Sequence, residues 1–169
     1  LKTAVVAARL RAINPMAEII EKPIFIENES VEKLLDEAQY DYIVDAIDSL
    51  TPKTQLICGA LNRNIPLISS MGSGGRLDPL QLKICDISKT NSCALARAVR
   101  KKLAESGIRK GVEVVFSPEL VNPAAVHKSD PEKGVFRSYV GTISYLPAVF
   151  GCVLSSVVIR HLTGIEIKK

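Results

Sequence analysis

At 169 residues, 47% of them hydrophobic, the chain is long and apolar enough for one ordinary domain with its own core, which excludes an intrinsically disordered protein. Its net charge of +4 and pI near 8.9 permit a polyanionic partner without demanding one. Cys58, Cys85, Cys93 and Cys152 stand far apart with no CxxC pair, so the expectation is a reduced, cytoplasmic protein with neither a disulfide framework nor a cysteine-based zinc site.

The opening "LKTAVVAARLRAI" has the apolar spacing of an amphipathic helix, stopped by Asn14 and Pro15. "AEIIEKPIFI" (17–26) reads as a strand, "SVEKLLDEAQ" as a short helix, and "YDYIVDAI" as a strand running into the interior. A helix over about 51–63 follows, with Ser49 or Thr51 as its cap and Pro52 in its first turn, and then the strand "IPLISS". Beyond a glycine-rich loop, "MGSGGRLDP" (71–79), come the strand "LQLKICDI", the helix "TNSCALARAVRKKLAESG" and the strand "GVEVVFS". A polar crossover runs from Ser117 to about Arg137. The apolar run 141–159 approaches the length of a bilayer span at about 1.5 Å per residue, but Pro147 interrupts it. It reads instead as a strand, "SYVGTISYL", and a buried helix from Pro147 to Leu162 stopped near Gly164, with no membrane involved. The alternation predicts an α/β fold: a Rossmann-like, mostly parallel sheet flanked by helices, with a mixed or antiparallel extension of the sheet in the C-terminal part.

Strand gives way to helix at "DAIDSLTPK" (45–53), which carries two carboxylates three residues apart. Two readings stand. Asp45 and Asp48 cap the helix and favour its positive end, worth about 0.3–1 kcal/mol, or one of them faces the crevice beyond the strand ends where open α/β sheets bind ligands. No GxGxxG follows a strand and no GxxxxGK[ST] occurs, so a phosphate cradle of either kind is not legible.

Taken together, "LKTAVVAARLRAINP", "YIVDAIDSLTPK", "IPLISSMGSGGRLDP" and "VEVVFSPE" resemble the ubiquitin-activating-like, or ThiF-like, adenylating superfamily. The superfamily part of the resemblance is a lysine eleven residues before an "INP" and the DxxD turn after a strand. Within that superfamily, "DAIDS..PK", the "GSGGRLDP" loop and "VFSPE" look like the tRNA threonylcarbamoyladenosine dehydratases.

The resemblance implies an enzyme using ATP and magnesium, which adenylates the threonyl carboxylate of a modified adenosine beside the tRNA anticodon. Internal cyclisation then removes the elements of water. On the matching positions it makes Asp48 the magnesium and nucleotide aspartate, Lys2 the phosphate-contacting lysine, and Phe25 or Ile26 part of the adenine side; Asp45 is left as structural. It also implies that a first βαβ unit carrying the nucleotide loop lies outside this chain, so that the chain alone binds ATP poorly. On that basis residues 1–70 are the remainder of the nucleotide-binding sheet, and 71–169 hold the crossover loop, substrate-side strands and final helix. A homodimer is implied as well, and a sulfur-transfer partner protein is a further expectation.

Beside the resemblance stand readings of individual residues. Arg76 lies where a substrate carboxylate would arrive and could pair with it, while the glycines around it serve equally in a plain crossover. Arg97, Arg100 and Lys101 fall at helical i, i+3 and i+4, either a solvated face or a stripe that tracks tRNA phosphates. Cys93 heads that helix, a position that suits a nucleophilic cysteine, yet a dehydration by internal attack needs no protein nucleophile. His127 and His161 make no triad or metal spacing and read as surface or packing residues. Two other functions remain open: adenylation of the C-terminal glycine of a ubiquitin-like or sulfur-carrier protein, and a non-catalytic binding or dimerisation lobe.

Overall fold

The structure is a computed structural model that describes residues 1–128 and 138–165. Its elements are α1 (Lys2–Ile13), α2 (Asn28–Asp36), β1 (Ile43–Asp45), α3 (Leu50–Asn62), β2 (Leu67–Ser70), β3 (Lys83–Asp86), α4 (Ala94–Glu105), β4 (Glu113–Phe116), β5 (Val126–Lys128), β6 (Ser138–Val140) and α5 (Tyr145–Thr163). Four strands make one sheet in the order β1-β2-β4-β3, with β1, β2 and β4 parallel and β3 antiparallel at the far edge. β5 and β6 form a separate antiparallel hairpin. The mostly parallel sheet with helical flanks and an antiparallel extension is therefore present. The part of the expected crossover at 129–137 lies outside the described residues.

The pleat sorts the core into two layers, because successive side chains on a strand point to opposite faces. Leu67 on β2 and Val114 and Phe116 on β4 join α2, α3 and α4 in one cluster, which includes Val31, Ile57 and Val99. Ile68 and Val115, one residue out of phase, face the other way and meet Leu146, Phe150, Leu154 and Val157 of α5. Those four α5 residues repeat every three or four positions along one helical stripe. At about 1.5–3 kcal/mol for each fully buried side chain, that stripe is the main cover of its sheet face. The helix is long and apolar enough to cross a membrane by length and composition; it was expected to be buried, but only this stripe lies on the sheet, and Ile159 and Leu162 on its other side are exposed. It begins two residues before Pro147, which falls in its first turn where no N–H is missed. Gly164, in the left-handed region at φ 67°, ends it.

One expected element is absent from the sheet. Residues 17–26 are irregular and pair with no strand among the described residues. Pro23 lacks an N–H, and the N–H of Ile24 bonds the carbonyl of Lys22 two residues back, a tight turn in place of a ladder. An apolar groove of about 670 Å³, lined by Ile20, Ile26, Leu34, Tyr42 and Val44 among others, runs between this segment and β1. The run is apolar, but a strand also needs a partner beside it.

Candidate functional site

A cleft of about 860 Å³ opens at the carboxyl ends of β1 and β2, the position at which open α/β sheets present ligands. Asp48 and Ile47 of the β1–α3 turn, Gly72 and Gly74 of the glycine-rich loop, Cys93 at the head of α4, and Tyr139 of β6 all line it. The positive end of the α4 dipole is thus part of the wall.

The β1–α3 turn is built around a buried ion pair that local rules disfavour. Lys53 sits in the first turn of α3, where a cation opposes the helix dipole, and its side chain is fully buried. Burial pushes its ammonium below the usual lysine range, and the neighbouring Asp45 partly offsets that shift. Nζ lies 2.8 Å from Oδ2 of Asp45, itself 1% exposed, and also donates to the carbonyl of Ile47 at 2.8 Å. Asp45 accepts in addition from Ser69 Oγ at 2.6 Å and from the N–H of Ile47 at 2.9 Å. Both backbone groups of Ile47 are therefore held, and the turn carries Asp48 outward on a fixed support.

Asp48 itself is exposed on the cleft and accepts from Ser49 Oγ at 3.3 Å. Ser49 occupies the N-cap position of α3 but makes no side-chain cap bond, and neither Asp45 nor Asp48 accepts from an N–H of that helix. Asp45 is structural, as expected, and its partner Lys53 was missed. The available signal was a lysine eight residues after an acid that ends a buried strand.

On the opposite wall the glycine-rich loop is clamped by Arg76, 3% exposed. Nε donates to the carbonyl of Glu119 at 3.0 Å, Nη1 to that of Gly72 at 2.7 Å and Nη2 to that of Ser92 at 2.9 Å. The guanidinium is thus spent on three backbone segments, and the geometry gives it a loop-holding part where a pairing with substrate carboxylate was expected. The Glu119 carboxylate completes the clamp by accepting from the N–H groups of Leu77 and Asp78 at 2.9–3.1 Å. Gly75 has φ 70°, and a Cβ on it would lie 2.5 Å from Val121 Cγ1, so this corner of the loop admits no side chain.

The other residues expected to contact nucleotide or tRNA lie apart from this cleft. Phe25, 83% exposed, borders a second depression with Lys33, Ser49 and Pro52, on the other side of the β1–α3 turn. Lys2 is exposed at the start of α1 and lines neither depression. On α4, Arg97 and Lys101 face solvent, whereas Arg100 turns inward and donates to the carbonyl of Thr90 at 3.0 Å and to its hydroxyl. Cys93 is buried and accepts weakly from the N–H of Ala96 at 3.5 Å, which makes it the N-cap of α4. His161 packs edge-on against Tyr42 at 4.9 Å. Among the described residues no three His, Cys, Asp or Glu side chains stand close enough to hold a metal ion together. A single open carboxylate is the donor set that suits magnesium arriving with waters and substrate phosphates, and Asp48 fits that requirement.

The sequence model of the ThiF family matches residues 1–169. The chain belongs to the ThiF family. Among its relatives in that family, the tRNA threonylcarbamoyladenosine dehydratase of Bacillus subtilis is 36% identical over 99% of this chain and 68% of its own length. The Escherichia coli enzyme of the same name is 32% identical over 95% of this chain and 66% of its own length. A crystal structure of the E. coli tRNA N6-threonylcarbamoyladenosine dehydratase in complex with ATP superposes with a TM-score of 0.80 at 31% identity. It covers 96% of this chain, and the chain spans 64% of it, so about a third of each relative has no counterpart here.

Proposed function

We propose that this ThiF-family chain carries the carboxylate-activating cleft of an ATP-dependent tRNA threonylcarbamoyladenosine dehydratase. The observation that carries the reading is Asp48, presented by the locked β1–α3 turn at the rim of a cleft of about 860 Å³. That volume is of the order that accepts a nucleotide-sized ligand. The names of relatives that match nearly the whole chain support the substrate.

In this reading a carboxylate oxygen of the threonyl group attacks the α-phosphorus of ATP and pyrophosphate leaves. The carbamoyl part of the same nucleoside then attacks the activated carboxyl carbon, and AMP departs with the former carboxylate oxygen. Ring closure releases a proton, and the nucleoside has lost the elements of one water. Magnesium, when bound, supplies charge neutralisation on the phosphates. Asp48 holds that ion, the α4 N-terminus offers a favourable field for negative charge, and the Arg76–Glu119 clamp keeps the glycine loop in place across the cleft.

The test is ATP–pyrophosphate exchange by the purified protein. Stimulation by tRNA bearing threonylcarbamoyladenosine supports the proposal. Stimulation only by a small protein with a diglycine tail replaces it with the protein-tail alternative.

A further inference from the structure

The β5–β6 hairpin carries an aromatic pair that neither the fold nor the chemistry above accounts for. His127 and Tyr139 stand directly opposite each other in the ladder, with ring centroids 5.6 Å apart and planes inclined by 26°. Cross-strand stacking explains why the rings meet. It does not explain why Tyr139 remains 62% exposed while lining the same cleft as Asp48.

The hairpin is also fastened to the cleft. The N–H of Gly75 bonds the carbonyl of Gly141 at 2.8 Å, the N–H of Gly141 bonds Ala125, and the N–H of Asn122 bonds Gly75. Next to Tyr139, Val140 packs so tightly on the loop that a Cβ on Gly74 would lie 3.1 Å from it. His127 is Tyr139's one aromatic partner among the described residues. The hairpin is thus tied to the glycine loop, and the ring is backed on one face and accessible at a cleft wall, which is how proteins that read unpaired nucleotides present a surface for a base.

From this we infer that Tyr139, backed by His127, is a stacking platform for the purine base of the RNA nucleotide that enters the cleft. The inference rests on the dehydratase reading, because it needs an RNA substrate there. Tyr139 is a positioning residue: it holds the base while the reacting carboxylate meets ATP near Asp48. The phenol hydroxyl plays no part, so Tyr139→Phe keeps the function.

The experiment measures KM and kcat for an anticodon stem-loop RNA bearing threonylcarbamoyladenosine, and equilibrium binding of the same RNA. Each is compared with an RNA carrying an unmodified adenosine at the reactive position. Loss of a single base stack, about 1–3 kcal/mol, corresponds to about a 5- to 160-fold weakening. Tyr139→Ala is expected to raise KM for the modified stem-loop by that factor with little change in kcat, and Tyr139→Phe to stay within about twofold of wild type. In binding, the Ala variant is expected to weaken the modified and unmodified stem-loops alike. A wild-type protein that turns over the modified RNA while Tyr139→Ala leaves KM and binding unchanged overturns the platform and leaves the dehydratase reading standing. Equal loss in the Ala and Phe variants also overturns it, since a stack does not need the hydroxyl. A wild-type protein inert toward the modified RNA but active on a diglycine-tailed protein overturns both.

Discussion

Replacing Lys53 by Met tests the idea that the buried pair sets the β1–α3 turn. The substitution keeps the bulk of the side chain and removes its charge. Asp45 would then lose the Nζ contact at 2.8 Å while staying 1% exposed, and the carbonyl of Ile47 would lose its side-chain donor. Removing one partner of a buried pair leaves an uncompensated charge and costs about 3–5 kcal/mol. For a chain of this length that lowers Tm by about 6–20 °C. Replacing both partners, Asp45→Asn with Lys53→Met, removes the stranded charge. The Asn oxygen still accepts from Ser69 or from the Ile47 N–H, so the double variant is expected to recover at least about 2 kcal/mol over the single. Urea denaturation of wild type, both single variants and the double variant gives the coupling directly. A Lys53→Met cost below about 1 kcal/mol, or strict additivity of the two changes, would refute the reasoning. The turn would then owe its shape to packing alone.

Three further outcomes follow from the same geometry. Gly75→Ala forces a side chain into a left-handed corner 2.5 Å from Val121, so a loss of about 1–3 kcal/mol in thermal unfolding is expected. Asp86 is partly buried, which raises its pKa, but the Ser88 hydroxyl together with the N–H groups of Ser88, Gly111 and Val112 outweighs that and holds its carboxyl below the usual range. The sign is therefore that of a depressed acid: its stabilisation is full above about pH 4, the unfolded-state value, and is lost as pH falls through the lower folded value. Asp86→Asn is expected to flatten the acid limb of a stability–pH curve. On α4, Arg97→Gln with Lys101→Gln is expected to reduce the steepness of log affinity against log salt for tRNA by about 1.4–1.8. Arg100→Gln, whose guanidinium is tied to Thr90, is expected to lower Tm and leave that slope unchanged.

Much of this architecture is legible in the sequence, for reasons that can be stated. α1 ends where Asn14 and Pro15 predict, because proline restricts the residue before it. β2 and β4 are short apolar runs buried on both faces, as parallel strands inside a sheet are, and α4 carries a period-3.6 pattern, all in well-punctuated stretches. The stretch 17–26 misled because β-propensity reports side chains suited to a sheet, while pairing depends on a neighbour that local sequence does not specify. In the site, the two acids stand out as charge where an apolar strand ends, and the family resemblance singles out Asp48 from the pair. For Lys53 the one signal is its spacing from Asp45, because its burial arises from the way α3 lies over β1 and nothing within the helix itself predicts it. Arg76 looked like a free cation beside glycines, whereas its partners Ser92 and Glu119 come from distant parts of the chain. Tyr139 was passed over as part of a strand. Its meaning depends on the fastening of the hairpin to Gly75, a contact between residues far apart in sequence.

The central claim, that the Asp48 cleft activates a carboxylate of modified tRNA, is tested most directly by weighing the product. The protein is incubated with ATP, magnesium and tRNA carrying threonylcarbamoyladenosine, and the nucleoside is released under mild conditions for mass spectrometry. The account predicts loss of the mass of one water in the wild type, and none in an Asp48→Ala variant whose unfolding midpoint matches wild type. An unchanged nucleoside from a preparation that binds ATP, or full dehydration by Asp48→Ala, would contradict it.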